Sequence, residues 1–310
     1  MIHYYKTQNG KLMPLEAAEK DCWIAVESPT RQELDLLIQQ FGVDEGFISS
    51  ATDEEEISHV QKEDDQTLVI VDTPVQEKQE DEATMLYCTM PLSFVVLKNY
   101  IITITLRPVP VLDEIARGGV KIENTAFKTN FVVAVLLRIA TRYTQYLRQI
   151  DKISYLTEKQ LHKSMRNKEL IQLLSLEKSL VYFSTGLKST ETTLEKIMRG
   201  RILKLYEEDE DLLEDTLIEI KQAIETCNIY SGILSGTMDA FASIISNNLN
   251  IVMKVLTSIT IVMAIPNMVF GFYGMNTPDL PMPYTWFAVF ITVVICVFCA
   301  YLLHKKGYFS

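Results

Sequence analysis

The 310-residue chain lacks the patterns that mark most nucleotide-dependent and metal-dependent enzymes. It contains neither Gly-x-Gly-x-x-Gly nor Gly-x-x-x-x-Gly-Lys-Ser/Thr, the glycine-rich loops that hold phosphate groups. Its histidines show neither metal-ligand spacing nor the spacing of a catalytic base; they are His3, His59, His162 and His304. We therefore expect no enzyme activity and no organic cofactor.

Basic residues and cysteines are also few. The 40 Asp and Glu residues outnumber the 29 Lys and Arg residues, and the resulting net charge of −11 argues against nucleic acid as a partner. The five cysteines are scattered, as is typical of a reducing compartment; they are Cys22, Cys88, Cys227, Cys296 and Cys299. Cys296 and Cys299 have no His or acidic partners, and we interpret them as small packing residues in an apolar segment.

Proline is absent between Pro110 and Pro266, and helix formers dominate this interval. The pattern predicts helices over about 125–163 and 167–200, which form an antiparallel hairpin, and a third helix that begins near Glu208. The third helix continues without a stop signal into an apolar segment, so it needs partners along its length.

The sequence before Pro110 has a different texture. Short runs rich in β-formers predict strands, which are Ile2–Lys6, Trp23–Val26, Thr67–Val71, Leu86–Leu97 with an interruption at Pro91, and Ile101–Leu106. One helix is predicted over Arg31–Phe41, capped by Thr30 and stopped by Gly42. The predicted fold class is an α+β domain followed by long helices and a two-helix transmembrane hairpin.

Two C-terminal segments carry no formal charge. Val255–Phe272 has 18 residues, which span roughly 27 Å as a helix, and Tyr284–Leu303 has 20, so each is long enough to cross a bilayer. Lys254 precedes the first segment, and Lys305 and Lys306 follow the second, whereas the short link between them has no Lys or Arg. The positive-inside rule then predicts a multi-pass protein of the cell membrane with both termini in the cytoplasm.

These features predict six regions. They are a cytoplasmic α+β domain (1–125), a cytoplasmic helical hairpin (126–207), a stalk helix continuous with the first transmembrane helix (208–272), an extracytoplasmic loop (273–283), the second transmembrane helix (284–303) and a basic cytoplasmic tail (304–310).

A stripe of small and polar residues runs along the first span. Its members recur at alternating intervals of three and four; they are Asn250, Met253, Thr257, Thr260, Ala264, Asn267, Gly271 and Gly274. Small residues let transmembrane helices approach closely, so helix packing is one interpretation. The other is a wet axis in a ring of helices, because an amide such as Asn250 or Asn267 is costly in lipid without a partner or water.

Residues 270–276 read Phe-Gly-Phe-Tyr-Gly-Met-Asn and lie where the first span meets the link. This motif, its place in a C-terminal hairpin, and the runs 246–250 and 253–257 resemble the CorA family of magnesium transporters. The resemblance implies a homopentameric funnel whose pore is lined by the first span. It implies passive, membrane-potential-driven uptake of hydrated Mg²⁺, with Co²⁺ and Ni²⁺ as further candidates, through a pore gated by cytoplasmic Mg²⁺. The expected partners are copies of the chain, membrane lipid and divalent cations.

The resemblance also implies roles for individual residues. Gly274, Met275 and Asn276 would form the selectivity loop, in which Asn276 carbonyl oxygens accept hydrogen bonds from waters on the ion. Met253 and Leu256 would form an apolar constriction. The pore-lining set is Asn250, Met253, Leu256, Thr257, Thr260, Ala264, Asn267 and Gly271. Lys254, Lys305 and Lys306 would form a basic belt, although Lys254 also fits an interfacial anchor.

Acidic residues gather where the third long helix begins. The residues predicted to hold a regulatory Mg²⁺ are Glu208, Glu214, Asp215 and Asp239, of which Asp215 matches a family position at a site between subunits. The resemblance places the matching partner region at Ile48-Ser49-Ser50, where relatives often carry acids. The nearby acidic run 53–56 is a candidate substitute, and it also fits a solvated face. Acids near a helix N-terminus also stabilise the helix by about 0.3–1 kcal/mol each, which is the simpler interpretation.

Two alternative functions remain open from the sequence. One is a zinc transporter of the same superfamily, against which Met275 counts. The other is a membrane-anchored cytoplasmic sensor or scaffold that passes no ions.

Overall fold

The structure is a computed structural model that describes residues 1–78, 85–120, 122–164, 167–200, 202–275, 282 and 284–307. The chain divides into two compact units, Met1–Gly236 and Thr237–Ser310. The boundary between the units falls inside one long helix.

The first unit contains a seven-stranded mixed sheet. Its strands are β1 (Ile2–Gln8), β2 (Lys11–Leu15), β3 (Cys22–Glu27), β4 (His59–Glu63), β5 (Gln66–Lys78), β6 (Met85–Val96) and β7 (Tyr100–Thr105). The spatial order is β2-β1-β3-β7-β6-β5-β4, in which only the β3–β7 pair is parallel. This arrangement confirms the predicted α+β class.

The described helices follow the predicted pattern and add two short ones. They are α1 (Arg31–Phe41), α2 (Glu45–Ala51), α3 (Pro110–Ala116), α4 (Lys128–Ser164), α5 (Asn167–Gly200), α6 (Glu207–Tyr273) and α7 (Thr285–Lys305). α4 begins three residues later than predicted. α1 has its predicted bounds because Thr30 and Glu33 form a capping box and Gly42, at φ 69°, ends the helix in the left-handed conformation.

Helices cover the sheet. α1 and α2 bury Leu37 and Phe47 in a core that includes Ile24, Ile70 and Ile102 from the sheet. α4 and α5 pack against each other and against the central strands, where a second group of rings meets. That group consists of Tyr87, Tyr143, Tyr146 and Phe183, whose ring centroids lie 5.1–6.4 Å apart.

The predicted interruption at Pro91 is wrong. β6 runs through Pro91, which pairs in register with Asp72 of β5. Proline is tolerated in a strand where its missing N–H is not needed by a neighbour. Pro91 lies outside the part of β6 that pairs with β7, which is Ser93–Val96.

Candidate ion pathway

Two helices are long and apolar enough to cross a membrane, namely the C-terminal part of α6 and the whole of α7. Within the most apolar window of α6 only 6% of the residues are buried by the chain itself, and the value for α7 is 11%. Side chains such as Met263, Met268 and Phe298 are therefore exposed in the single chain. Apolar surface of this extent requires lipid or further protein as its surroundings.

One face of α6 is directed toward α7. Ser258 is fully buried, and Val262, Ile265 and Val269 are half-buried. The thiol of Cys296 on α7 lies 3.8 Å from the carbonyl oxygen of Val262. These α6 positions are separated by four, three and four residues, so they form a single stripe, which we call the hairpin face.

Four residues of the predicted pore stripe lie on the opposite face of α6. Thr260, Ala264, Asn267 and Gly271 each follow a member of the hairpin face by two residues. Two residues turn an α-helix by about 200°, so each predicted pore residue points away from α7. Of the eight predicted pore-lining residues Ala264 is half-buried and the others are exposed; these are Asn250, Met253, Leu256, Thr257, Thr260, Asn267 and Gly271.

Gly274, at the end of α6, has little room for a larger side chain. The Gly274 amide donates to the carbonyl oxygen of Phe270 at 2.9 Å, and the Met275 amide donates to that of Phe272 at 3.3 Å. A Cβ on Gly274 would lie 3.0 Å from the Phe270 oxygen, which is tighter than ordinary van der Waals contact. Asn276 lies outside the described residues.

The three lysines of the predicted basic belt are exposed. Lys254 is in α6, one residue before the first apolar segment. Lys305 ends α7, and Lys306 caps the helix with its amide donating to the carbonyl oxygen of Leu302 at 3.1 Å. Cations at a helix C-terminus are stabilised by the free carbonyl groups there, so Lys305 and Lys306 also support α7 itself.

The predicted regulatory acids are exposed. Within the first unit Glu208, Glu214 and Asp215 are exposed on α6, and Asp239 is exposed in the second unit. Among the described residues no group of three or more His, Cys, Asp or Glu side chains is arranged to hold a metal ion.

Sequence reasoning did not single out Asp209, the one acid of this region that is buried. It is 4% exposed, and both of its carboxylate oxygens accept hydrogen bonds, from the Asn130 side chain at 3.0 Å and from the Tyr206 amide at 3.3 Å. Asp209 thus caps α6 and ties it to α4. Its position in the third place of a helix is the signal that predicts this role.

The mixed sheet, the long helices and the C-terminal apolar pair are the architecture of a class of membrane transporters for divalent cations. The chain belongs to the family described as CorA-like Mg²⁺ transporter protein, whose sequence profile matches residues 19–305. This membership confirms the resemblance seen in the sequence.

Individual members are similar over nearly the whole chain. The cobalt/magnesium transport protein CorA of Methanocaldococcus jannaschii is 26% identical over 296 residues, which are 92% of this chain and 90% of that protein. The magnesium transport protein CorA of Helicobacter pylori is 22% identical over the same shares of the two chains. The complete structure of the CorA magnesium transporter from M. jannaschii matches with a TM-score of 0.79 at 21% identity, covering 99% of this chain and 96% of that one. The two chains share a fold.

Proposed function

We propose that the chain assembles as a homopentamer in the cell membrane and admits Mg²⁺ to the cytoplasm, with Co²⁺ and Ni²⁺ as further candidate ions. The observation that carries the proposal is the composition of the α6 face opposite α7. Asn267 lies on that face, and both Asn250 and Asn267 are exposed in the single chain; an amide in lipid is costly without a polar partner. A ring of α6 helices with α7 outside satisfies both amides along a wet axis.

The ion path in this proposal has two control points. Met253 and Leu256, both exposed in the single chain, converge in the ring and form an apolar constriction that excludes water when narrow. At the other end the five Asn276 side chains accept hydrogen bonds from the waters of hydrated Mg²⁺, while Gly274 and Met275 shape the loop. Neutral amides suit a small ion that dehydrates reluctantly, because carboxylates would retain it.

The membrane potential drives uptake in this proposal. With both termini in the cytoplasm, a divalent ion gains roughly 4.6 kcal/mol for each 100 mV of inside-negative potential. The zinc alternative is not favoured, since the curated relatives are named for cobalt and magnesium or for magnesium. The lysines at 254, 305 and 306 form a cytoplasmic belt that fixes the orientation of the hairpin.

Cytoplasmic Mg²⁺ closes the pore by bridging acidic surfaces of neighbouring subunits, with Asp215 as the main contributor and Glu208, Glu214 and Asp239 as further candidates. All four carboxylates are exposed in the single chain, so a partner surface has access to them. Without an ion these charges repel across the interface, and a divalent cation removes that repulsion. A coupling of about 1–3 kcal/mol is typical of such effectors.

Limited proteolysis tests the regulatory part. Millimolar Mg²⁺ should slow cleavage of the wild type and do so less in Asp215→Ala. Asp211→Ala is the matched control, because Asp211 is an exposed acid of the same helix outside the proposed set. Equal protection of the wild type and Asp215→Ala would remove Asp215 from the mechanism.

Native mass spectrometry in detergent tests the assembly. A pentamer is expected for the wild type. A stable monomer or dimer would contradict a pore built from α6 and would favour a membrane-anchored sensor or scaffold instead.

A further inference from the structure

A cavity of about 390 Å³ in the first unit is lined by four lysines. Lys62 comes from β4, Lys98 from the turn after β6, Lys128 from the first turn of α4 and Lys204 from the segment before α6. We call it the lysine cavity. Because its lysines come from four separate parts of the chain, no local sequence motif predicts the cavity.

The lysine cavity is positively charged in a chain that is strongly acidic overall. Its acidic lining residues are Asp65 and Asp209, against four lysines. Asp209 is buried, with both oxygens already occupied by Asn130 and Tyr206. In a protein with a net charge of −11, four lysines against two lining carboxylates are a local excess of positive charge.

Three of the four lysines form no ion pair within the described chain. Lys128 forms an ion pair with Asp21 at 3.1 Å. In the part of the chain that the structure describes, the lysines that form ion pairs are Lys6, Lys128 and Lys221. Lys62, Lys98 and Lys204 are therefore available to an anion from outside.

The backbone at the cavity favours the same kind of ligand. Lys128, Thr129 and Asn130, the first three residues of the 37-residue helix α4, all line the cavity. The first N–H groups of a helix have no partner within the helix, and they favour anions such as phosphate.

Two aromatic side chains stand at the rim. Phe127 is 55% exposed and Tyr206 is 57% exposed, and the Lys204 ammonium lies 5.2 Å from the centroid of the Tyr206 ring. Exposed rings beside a basic groove stack on nucleobases. The same two rings border a second cavity of about 600 Å³ that is lined by Glu123, Glu207 and Glu208, and carboxylates there would repel a phosphate chain.

We propose that the lysine cavity binds a phosphate-bearing polyanion, the shared chemistry of inorganic polyphosphate and the phosphate chain of a nucleotide. The ammonium groups of Lys62, Lys98 and Lys204 contact the phosphate oxygens, and the first turn of α4 adds its amides. The site lies outside the ion path and its predicted regulatory acids, so it does not depend on the function proposed above.

Isothermal titration calorimetry on the full chain in detergent, at low salt and without Mg²⁺, tests the site with three probes: inorganic tripolyphosphate, ATP and AMP. The variant Lys62→Ala/Lys98→Ala/Lys204→Ala removes the free ammonium groups. The matched control Lys20→Ala/Lys152→Ala/Lys159→Ala removes three exposed lysines elsewhere. The corresponding Lys→Arg triple variant of the cavity retains its charge.

Tripolyphosphate and ATP should bind the wild type more tightly than AMP, with an affinity that falls as salt is added. The cavity Ala variant should bind about tenfold more weakly or worse, and the control and Lys→Arg variants should bind like the wild type. Tighter binding of ATP than of tripolyphosphate would assign the site to nucleotides, and equal binding would assign it to the phosphate chain alone.

Two results would overturn the proposal. One is equal binding by the wild type and the cavity Ala variant. The other is the absence of binding to the wild type at millimolar tripolyphosphate and ATP; if the cavity Ala variant then also changes its oligomeric state, the lysines pair with acids of a neighbouring copy instead.

Discussion

The thiol of Cys296 on α7 lies 3.8 Å from the carbonyl oxygen of Val262 on α6. This contact marks the side of α6 on which the second helix packs. Thr260 and Ala264, two residues before and after Val262, are turned away from α7 by about 200°. Each residue of α6 in this region therefore faces either α7 or the surroundings of the α6–α7 hairpin.

Cysteine accessibility tests that assignment. In a variant with Cys296→Ala and Cys299→Ala, a charged methanethiosulfonate reagent should modify Thr260→Cys and Ala264→Cys and reduce Mg²⁺ uptake, because these positions face the proposed pore. Ser258→Cys and Val262→Cys are the matched controls on the hairpin face and should react slowly. Faster reaction at the control positions would place water on the wrong side of α6. Cys227 should not interfere, because it is buried and burial raises the pKa of its thiol to about 11.

Substitutions at two glycines distinguish an effect on the stability of the single chain from an effect on the assembled pore. A Cβ on Gly271 meets nothing within 4 Å, so Gly271→Ala should leave thermal stability unchanged or raise it by about 0.5–1 kcal/mol as alanine replaces glycine in a helix. Mg²⁺ uptake should nevertheless fall, because five added methyl groups would narrow the pore. Uptake in liposomes and a thermal melt check this prediction. Mg²⁺ uptake by Gly271→Ala at the wild-type rate would contradict a pore lined by this residue.

Gly274→Ala should behave differently. Its Cβ would lie 3.0 Å from the Phe270 carbonyl oxygen, so the backbone at the end of α6 must shift slightly to accommodate it. We expect lost uptake together with a pentamer that still forms, measured by flux and native mass spectrometry. Full activity would show that the loop tolerates the shift.

The sequence predicted the elements with strong local signals and missed those without them. Thr30, Glu33 and Gly42 define both ends of α1. The two strands that were missed, β2 and β4, form the two edges of the sheet. Edge strands are short and polar or interrupted by proline, as in Lys11–Leu15 and His59–Glu63, so they lack the alternation that marks a half-buried strand.

In the candidate site, too, the features with a local sequence signal could be predicted and the others could not. The intervals of three and four residues were enough to predict a stripe along α6, because helix periodicity is a local property of the sequence. The position of α7 relative to that stripe is not local, and it became visible only through Ser258, Val262 and Cys296. The lysine cavity escaped prediction for the same reason, since Lys62 and Lys204 are distant in sequence.

An ion-pair cluster in the first unit gives a stability prediction. Glu114 accepts hydrogen bonds from Arg138 and Arg142, with an Arg142 distance of 2.8 Å, and these arginines hold the pKa of Glu114 below its ordinary value of 4.5. Glu114→Gln should destabilise the unit by about 1–2 kcal/mol at neutral pH, because two guanidinium groups lose a charged partner. Asp113→Asn, at the neighbouring exposed acid, is the control.

The pH dependence of that effect has a defined sign. Because the folded-state pKa of Glu114 is lowered, its contribution is present above pH 4.5 and is lost as the pH falls through the lowered value. Denaturant unfolding between about pH 7 and pH 3 should therefore show wild type and Glu114→Gln converging at low pH. A constant difference would mean that the carboxylate charge is not involved.

The pH dependence of stability expected from Asp72 has the opposite sign. Its carboxylate is partly buried beneath α5 and accepts a hydrogen bond from Ser58 at 2.7 Å, and burial raises its pKa above the ordinary value of 3.8. Stability from this group is present below pH 3.8 and is lost as the pH rises through the raised pKa. Asp72→Asn should flatten that decline in unfolding experiments between about pH 4 and pH 7. Parallel curves for the two proteins would show that Asp72 does not titrate in this range.

Mg²⁺ uptake by purified protein in liposomes tests the central claim most directly. An inside-negative potential imposed with K⁺ and valinomycin, and a Mg²⁺-sensitive dye inside, should reveal uptake by the wild type that grows with the potential. Asn276→Ala should abolish this uptake while leaving the pentamer intact, because a methyl group cannot accept hydrogen bonds from the waters on the ion. No potential-dependent Mg²⁺ entry with the wild-type pentamer, or undiminished entry with Asn276→Ala, would contradict the proposed pathway.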